Sequence, residues 1–142
     1  MKNLILMLFI IAAFGSLYST EMSDAAYLKD KKYQEIKKKF TQIYISTNNN
    51  TVVGKMYFMQ LDTNPTTGYD WYPEPNSSNF ILFITNQYFN KISKELPGSP
   101  SVKVWIIQPI KKGDFELNFY YYRIWEGVET AVKTNILGLT VR

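Results

Sequence analysis

"FELNFYYY", residues 115–122, alternates without a fault. Phe115, Leu117, Phe119 and Tyr121 fall on one side of an extended chain, and Glu116, Asn118, Tyr120 and Tyr122 on the other. A period of two predicts a strand with one face turned to a core. The turn signal Lys111-Lys112-Gly113-Asp114 just before it predicts a hairpin with residues 102–108, a strand whose apolarity runs unbroken at its end. Residues 131–141 read as the last strand.

Working back toward the start, the same signals recur. Residues 80–89 hold a strand or two, and Leu96-Pro97-Gly98-Ser99-Pro100 breaks the chain after them. Residues 69–72 form a short strand, ended by Pro73 and Pro75. Residues 62–68 are a loop, and residues 52–61 a strand bent at Gly54. Thr47-Asn48-Asn49-Asn50 reads as a turn and residues 40–45 as the first strand. Residues 25–39 carry Leu28, Tyr33 and Ile36 as scattered apolar points, which suits a short helix or an ordered lead-in. Some seven short strands at this spacing, over roughly 100 residues, predict an all-β immunoglobulin-like sandwich of seven to eight antiparallel strands.

The chain has 142 residues, 46% hydrophobic and 16% aromatic, enough for one domain with a real core. Residues 1–20 are expected to be a secretory signal peptide. Lys2 supplies the charge, residues 4–11 the apolar stretch, and Ala13-Phe14-Gly15 small residues for cleavage, with Ser19 or Thr20 as a later site. Residues 21–40 form a lysine-rich lead-in, six Lys against four acids, and residues 41–142 the main domain, nearly neutral. The net charge of +4 is therefore no basic face, and nucleic acid is not an expected partner. No membrane insertion is expected once the signal is gone. Sequons at Asn49 and Asn76 fall in predicted loops.

There is no Cys and no His. Most nucleophile–base pairs and nearly all zinc sites are thereby unavailable, and no metal or cofactor is called for. Asp62, Asp70 and Glu74 could pair as carboxylates, but a glycosidase needs two of them across a sugar cleft. The pattern favours binding over catalysis. The absence of disulfides also suits work in a reducing vesicle.

A sandwich offers its end loops for binding. In Asn64-Pro65-Thr66-Thr67-Gly68, Pro65 fixes φ and Gly68 supplies freedom, leaving the two threonines exposed in a compact turn. Trp71 after it reads as core. Pro97, Gly98 and Ser99 form a second loop, and Arg123-Ile124-Trp125-Glu126-Gly127 a third. Trp125 would be buried if the strand of residues 115–122 ran on, and an unpaired Arg123 beside it would be costly, so the chain is expected to leave the sheet near Tyr122.

These features resemble the chagasin-like inhibitors of papain-family cysteine proteases, over most of residues 41–142. Residues 54–68 are similar to the family's second strand and first loop, Asn86-Gln87-Tyr88-Phe89 to the strand before its middle loop, and residues 113–127 to its penultimate strand and third loop. Ile124 stands where the family usually has Pro, and Pro97-Gly98-Ser99-Pro100 where it has a glycine cluster. The resemblance implies three loops at one end of the sandwich forming a wedge. Asn64, Pro65, Thr66, Thr67 and Gly68 would cover the protease's catalytic Cys and His. Pro97, Gly98 and Ser99 would grip one side of the cleft, and Arg123 and Trp125 the primed side. It implies reversible, non-covalent inhibition by a monomer and targets of the cathepsin L or B kind. The address would be an endolysosomal or phagosomal vesicle, or the medium. A secreted immunoglobulin-like module binding another protein or a glycan is the alternative.

Overall fold

The computed structural model describes residues 25–92 and 97–142; the expected signal peptide lies outside them. Helices α1 (Ala25–Leu28) and α2 (Lys31–Lys39) precede eight strands. These are β1 (Thr41–Gln42), β2 (Asn48–Thr51), β3 (Tyr57–Thr63), β4 (Tyr69–Pro73), β5 (Ile81–Asn90), β6 (Ser101–Pro109), β7 (Gly113–Arg123) and β8 (Lys133–Val141). They form two four-stranded sheets, β1-β3-β6-β5 and β2-β8-β7-β4. The expected all-β sandwich is the architecture observed.

Four readings are corrected. The Asn-rich stretch expected to turn is strand β2, and it runs parallel to β8 in the register Asn48↔Gly138 to Thr51↔Val141. The other short edge strand, β1, pairs in parallel with β3, so the sheets are not wholly antiparallel. Residues 43–47 leave the sheet and turn instead of continuing β1, and Asn49 holds that turn. Its Nδ2 donates to the carbonyls of Tyr44 and Gly138 at 2.9 and 3.1 Å, and its Oδ1 accepts from the Tyr44 amide at 2.9 Å. Finally, Lys111-Lys112-Gly113-Asp114 closes no hairpin, because β6 and β7 lie in opposite sheets. The segment carries the chain from one layer to the other.

The alternation of β7 is realised as read. Leu117 and Phe119 are fully buried between the sheets, with Met59, Trp105, Ile107 and Leu137 among their neighbours in the same cluster. A second cluster lies outside the first sheet. Tyr33 of α2 packs there with Phe58, Phe89, Val102 and Val104. Its ring meets Phe89 edge-on at 5.4 Å, and its hydroxyl donates to Gln60 Oε1 at 2.7 Å. Asp30 caps α2 by accepting from the amides of Lys32 and Tyr33, and Lys37, Lys38 and Lys39 occupy its last turn, where cations suit the helix dipole. Helix α2 is thus a lid on the sandwich. This explains β6, apolar on both faces because both faces are covered.

Candidate functional site

Loop 1, residues 64–68, joins β3 of one sheet to β4 of the other. Loop 2 joins β5 to β6 and loop 3 joins β7 to β8, each within its own sheet. All three therefore emerge at the same end, with loop 1 bridging the layers.

Pro65–Thr67 is a single 3₁₀ turn with Pro in its first turn. Gly68 closes it in the left-handed region at φ 79°, where a side chain would be strained. Both threonine hydroxyls are spent on the shape of the loop. Thr67 Oγ1 donates to the Asn64 carbonyl at 2.7 Å and accepts from the Tyr69 amide at 3.3 Å. Thr66 Oγ1 donates to Asn64 Oδ1 at 2.7 Å. Thr66 and Thr67 thus present a fixed backbone and a small exposed surface.

The loops are bonded to one another. The Gly98 amide donates to Thr66 Oγ1 at 2.9 Å, and Asn64 Nδ2 donates to the Gly98 carbonyl at 2.9 Å. A side chain at residue 98 could not take part as easily, since Gly98 sits at φ 81°. Loop 2 thus docks on loop 1 through two reciprocal bonds. Pro97 and Gly98 are exposed, whereas Ser99 is buried.

Loop 3 closes on the other side. The β4–β7 register sets Tyr69 opposite Arg123, so the strand reaches one residue further than expected. Arg123 is not freed. Its guanidinium lies over the Tyr69 ring at 4.5 Å, its Nε donates to the Thr67 carbonyl at 3.2 Å, and Nη1 pairs with Glu126 at 3.2 Å. Trp125 is exposed over 69% of its surface, yet the edge of its ring lies against Gly68. A Cβ on Gly68 would stand 2.4 Å from Trp125 Cη2. Ile124 beside it is also exposed.

The base of the site crosses between sheets. Trp71 is buried, as read, and its Nε1 donates to the Asp62 carbonyl at 2.8 Å. Tyr121 accepts the Asn64 amide at its hydroxyl, at 3.2 Å. The carboxylates considered for catalysis are each committed. Asp62 pairs with Lys91 at 2.9 Å, Asp70 with Lys103 at 2.6 Å, and Glu74 accepts from Asn118 Nδ2 at 3.0 Å. Lys103 was not singled out from the sequence. The signal was present in its place as the one cation inside an apolar strand.

A rigid sandwich carrying three fused end loops, with an exposed aromatic at the rim, defines a loop-based protein-binding domain. Residues 50–138 match the family model described as the chagasin family peptidase inhibitor I42. The protein belongs to that family. It is 33% identical to chagasin of Trypanosoma cruzi over 95 residues, which cover 63% of this chain and 84% of chagasin. It is 27% identical to amoebiasin-2 of Entamoeba histolytica over 84 residues, 59% of this chain and 68% of that protein. Its fold is shared with the crystal structure of a cysteine protease inhibitor from Entamoeba histolytica, at TM-score 0.58 and 21% identity, covering 72% of this chain and 96% of that one.

Proposed function

We propose that this inhibitor blocks papain-family cysteine proteases by seating its three loops in the active-site cleft, reversibly and without a covalent bond. The observation that supports this best is the bonding between loops. Loop 2 is tied to Thr66 and Asn64, and Arg123 to Thr67, so the wedge has its shape before it meets an enzyme. Pre-organisation lowers the ordering cost of association.

The chemistry is complementary. A papain-type nucleophile is a thiolate beside an imidazolium. Loop 1 brings no charge to that pair. Its compact turn is not an extended strand that would present a peptide for attack. Trp125 supplies a large, rigid surface at the edge, the profile of an interface hot spot. Arg123, held by Tyr69, Thr67 and Glu126, keeps loop 3 against loop 1 on the primed side. Inhibitors of this kind bury on the order of 1,600 Å² in total, which three loops of one monomer can provide. The expected partners are proteases of the cathepsin L or B kind. The leader would route the protein to an endolysosomal or phagosomal vesicle or to the medium.

Two substitutions test the site. Thr67→Asp sets a carboxylate beside the enzyme's ion pair, and Trp125→Ala removes the anchor. Each is expected to weaken inhibition of papain by about 2 kcal/mol or more while the fold persists. Unchanged inhibition in both would refute the assignment of the loops.

A further inference from the structure

Loop 1 is the one of the three loops that starts in one sheet and ends in the other, so its shape depends on how far apart the sheets are at that end. Lys103 lies at this seam. It is 5% exposed and stands on β6, while its partner Asp70 stands on β4, two residues beyond loop 1. Lys103 Nζ donates to Asp70 Oδ2 at 2.6 Å and to the Trp71 carbonyl at 3.2 Å. The Tyr88 hydroxyl of β5 donates to the same Asp70 oxygen, and Asp70 Oδ1 accepts the Trp71 amide at 2.8 Å. The rings of Tyr72, Tyr88 and Trp105 surround the ammonium, at 5.5, 5.3 and 4.8 Å from their centroids.

Among the described residues, β4 is an edge strand paired within its sheet to β7 alone. The Lys103 network joins it to β5 and β6 across the gap by polar bonds, beside the packing of Trp71 in the core. A buried ion pair is a poor way to gain stability, because desolvation offsets most of the attraction and an apolar replacement often serves as well. Its geometric demand is the opposite. A charge that is bonded on all sides fixes where its partners stand.

We infer that Lys103 and Asp70 are positioning residues for inhibition: the pair sets the spacing of the sheets beneath loop 1 and so aims Thr66 and Thr67 between loops 2 and 3. This rests on the protease-blocking reading for its functional consequence, though not for its structural one. Tyr88 shares the task through its hydroxyl, whose ionisation burial and the Asp70 bond push up, keeping it a donor.

The test is the double variant Lys103→Met with Asp70→Asn, which removes both charges and keeps an oxygen for Tyr88 and the Trp71 amide. Three quantities are measured: the melting temperature, the inhibition constant against papain, and hydrogen exchange at the Thr67 and Gly68 amides, which bond within loop 1. A positioning pair predicts a melting temperature close to that of the native chain, inhibition weakened at least tenfold, and loop 1 exchange at least tenfold faster. Tyr88→Phe, which leaves both charges, should move inhibition and exchange in the same direction by a smaller factor. Native inhibition with native loop exchange in either folded variant overturns the inference. So does a double variant that fails to fold while Tyr88→Phe behaves as native, since the pair would then be structural support alone. If the native chain does not inhibit papain, the functional reading fails by itself, and the exchange measurement still decides whether the pair positions the loop.

Discussion

Gly68→Ala joins the backbone of loop 1 to the anchor of loop 3 in one perturbation. At φ 79° a side chain is held in the left-handed region, which costs about 1–2 kcal/mol. The new methyl would also stand 2.4 Å from Trp125 Cη2. To reach ordinary carbon contact, ~3.5 Å, the ring must retreat by on the order of 1 Å. Trp125 is exposed, so its ring has room to yield and the chain should fold, with its stability lowered by the backbone strain. Inhibition suffers through the displaced ring. If Trp125 contributes about 2 kcal/mol to binding, Trp125→Ala weakens inhibition about 30-fold. Gly68→Ala should then weaken it about 10- to 30-fold by spoiling the same contact. The two changes are not independent, and their double variant should lose about 30- to 100-fold, short of the roughly 300- to 900-fold that additive effects would give. Inhibition constants for the four proteins, with urea denaturation to separate stability, measure this. Additive losses would show that the ring does not rest on Gly68 in the complex and would refute the fused-wedge account.

Four further outcomes are expected. Thr63 Oγ1 is buried without a hydrogen-bond partner among the described residues, so Thr63→Val should raise stability by about 1 kcal/mol in thermal or urea unfolding; a loss would show that the hydroxyl is bonded. Tyr33→Ala opens the cluster beneath α2 and should cost about 3 kcal/mol of stability in urea unfolding; an unchanged midpoint would show that the lid adds nothing. With no His, inhibition should stay flat between about pH 5 and 8 apart from the enzyme's own groups. Burial pushes Tyr33 up from 10.0 to about 12, so its contribution to stability should be constant below about pH 10 and be lost between there and about 12, as the unfolded chain ionises and the folded one does not. Tyr33→Phe should make that alkaline fall smaller.

Much of the sandwich could be read locally. The alternation of residues 115–122 and the Pro-bounded strand after loop 1 depend on neighbours in sequence, and both stand. What failed to show depends on distant partners. Asn48, Asn49 and Asn50 have turn propensity, but pairing with β8 and the Asn49 carboxamide bonds override it. The helical lid looked featureless because its cluster is supplied by Phe58, Phe89, Val102 and Val104 of the sheet it covers. The unbroken apolarity of β6 was the available clue, since such a strand needs cover on both faces. For the site, the three loops are held together by bonds between residues far apart in sequence. Arg123 depends on the Tyr69↔Arg123 register, and the Thr66 bond to Gly98 spans two loops, so neither could be seen in a linear reading.

The central claim is that the fused loops occupy the protease's catalytic cleft without reacting. The most direct measurement is the rate at which a small thiol-directed peptidyl label modifies papain's catalytic Cys, followed as the inhibitor is added. Labelling should fall in proportion to inhibitor up to one equivalent and then proceed only as fast as the complex dissociates, with the inhibitor recovered intact. Undiminished labelling in a complex shown to have formed, or no complex at micromolar excess with several papain-like enzymes, would contradict it.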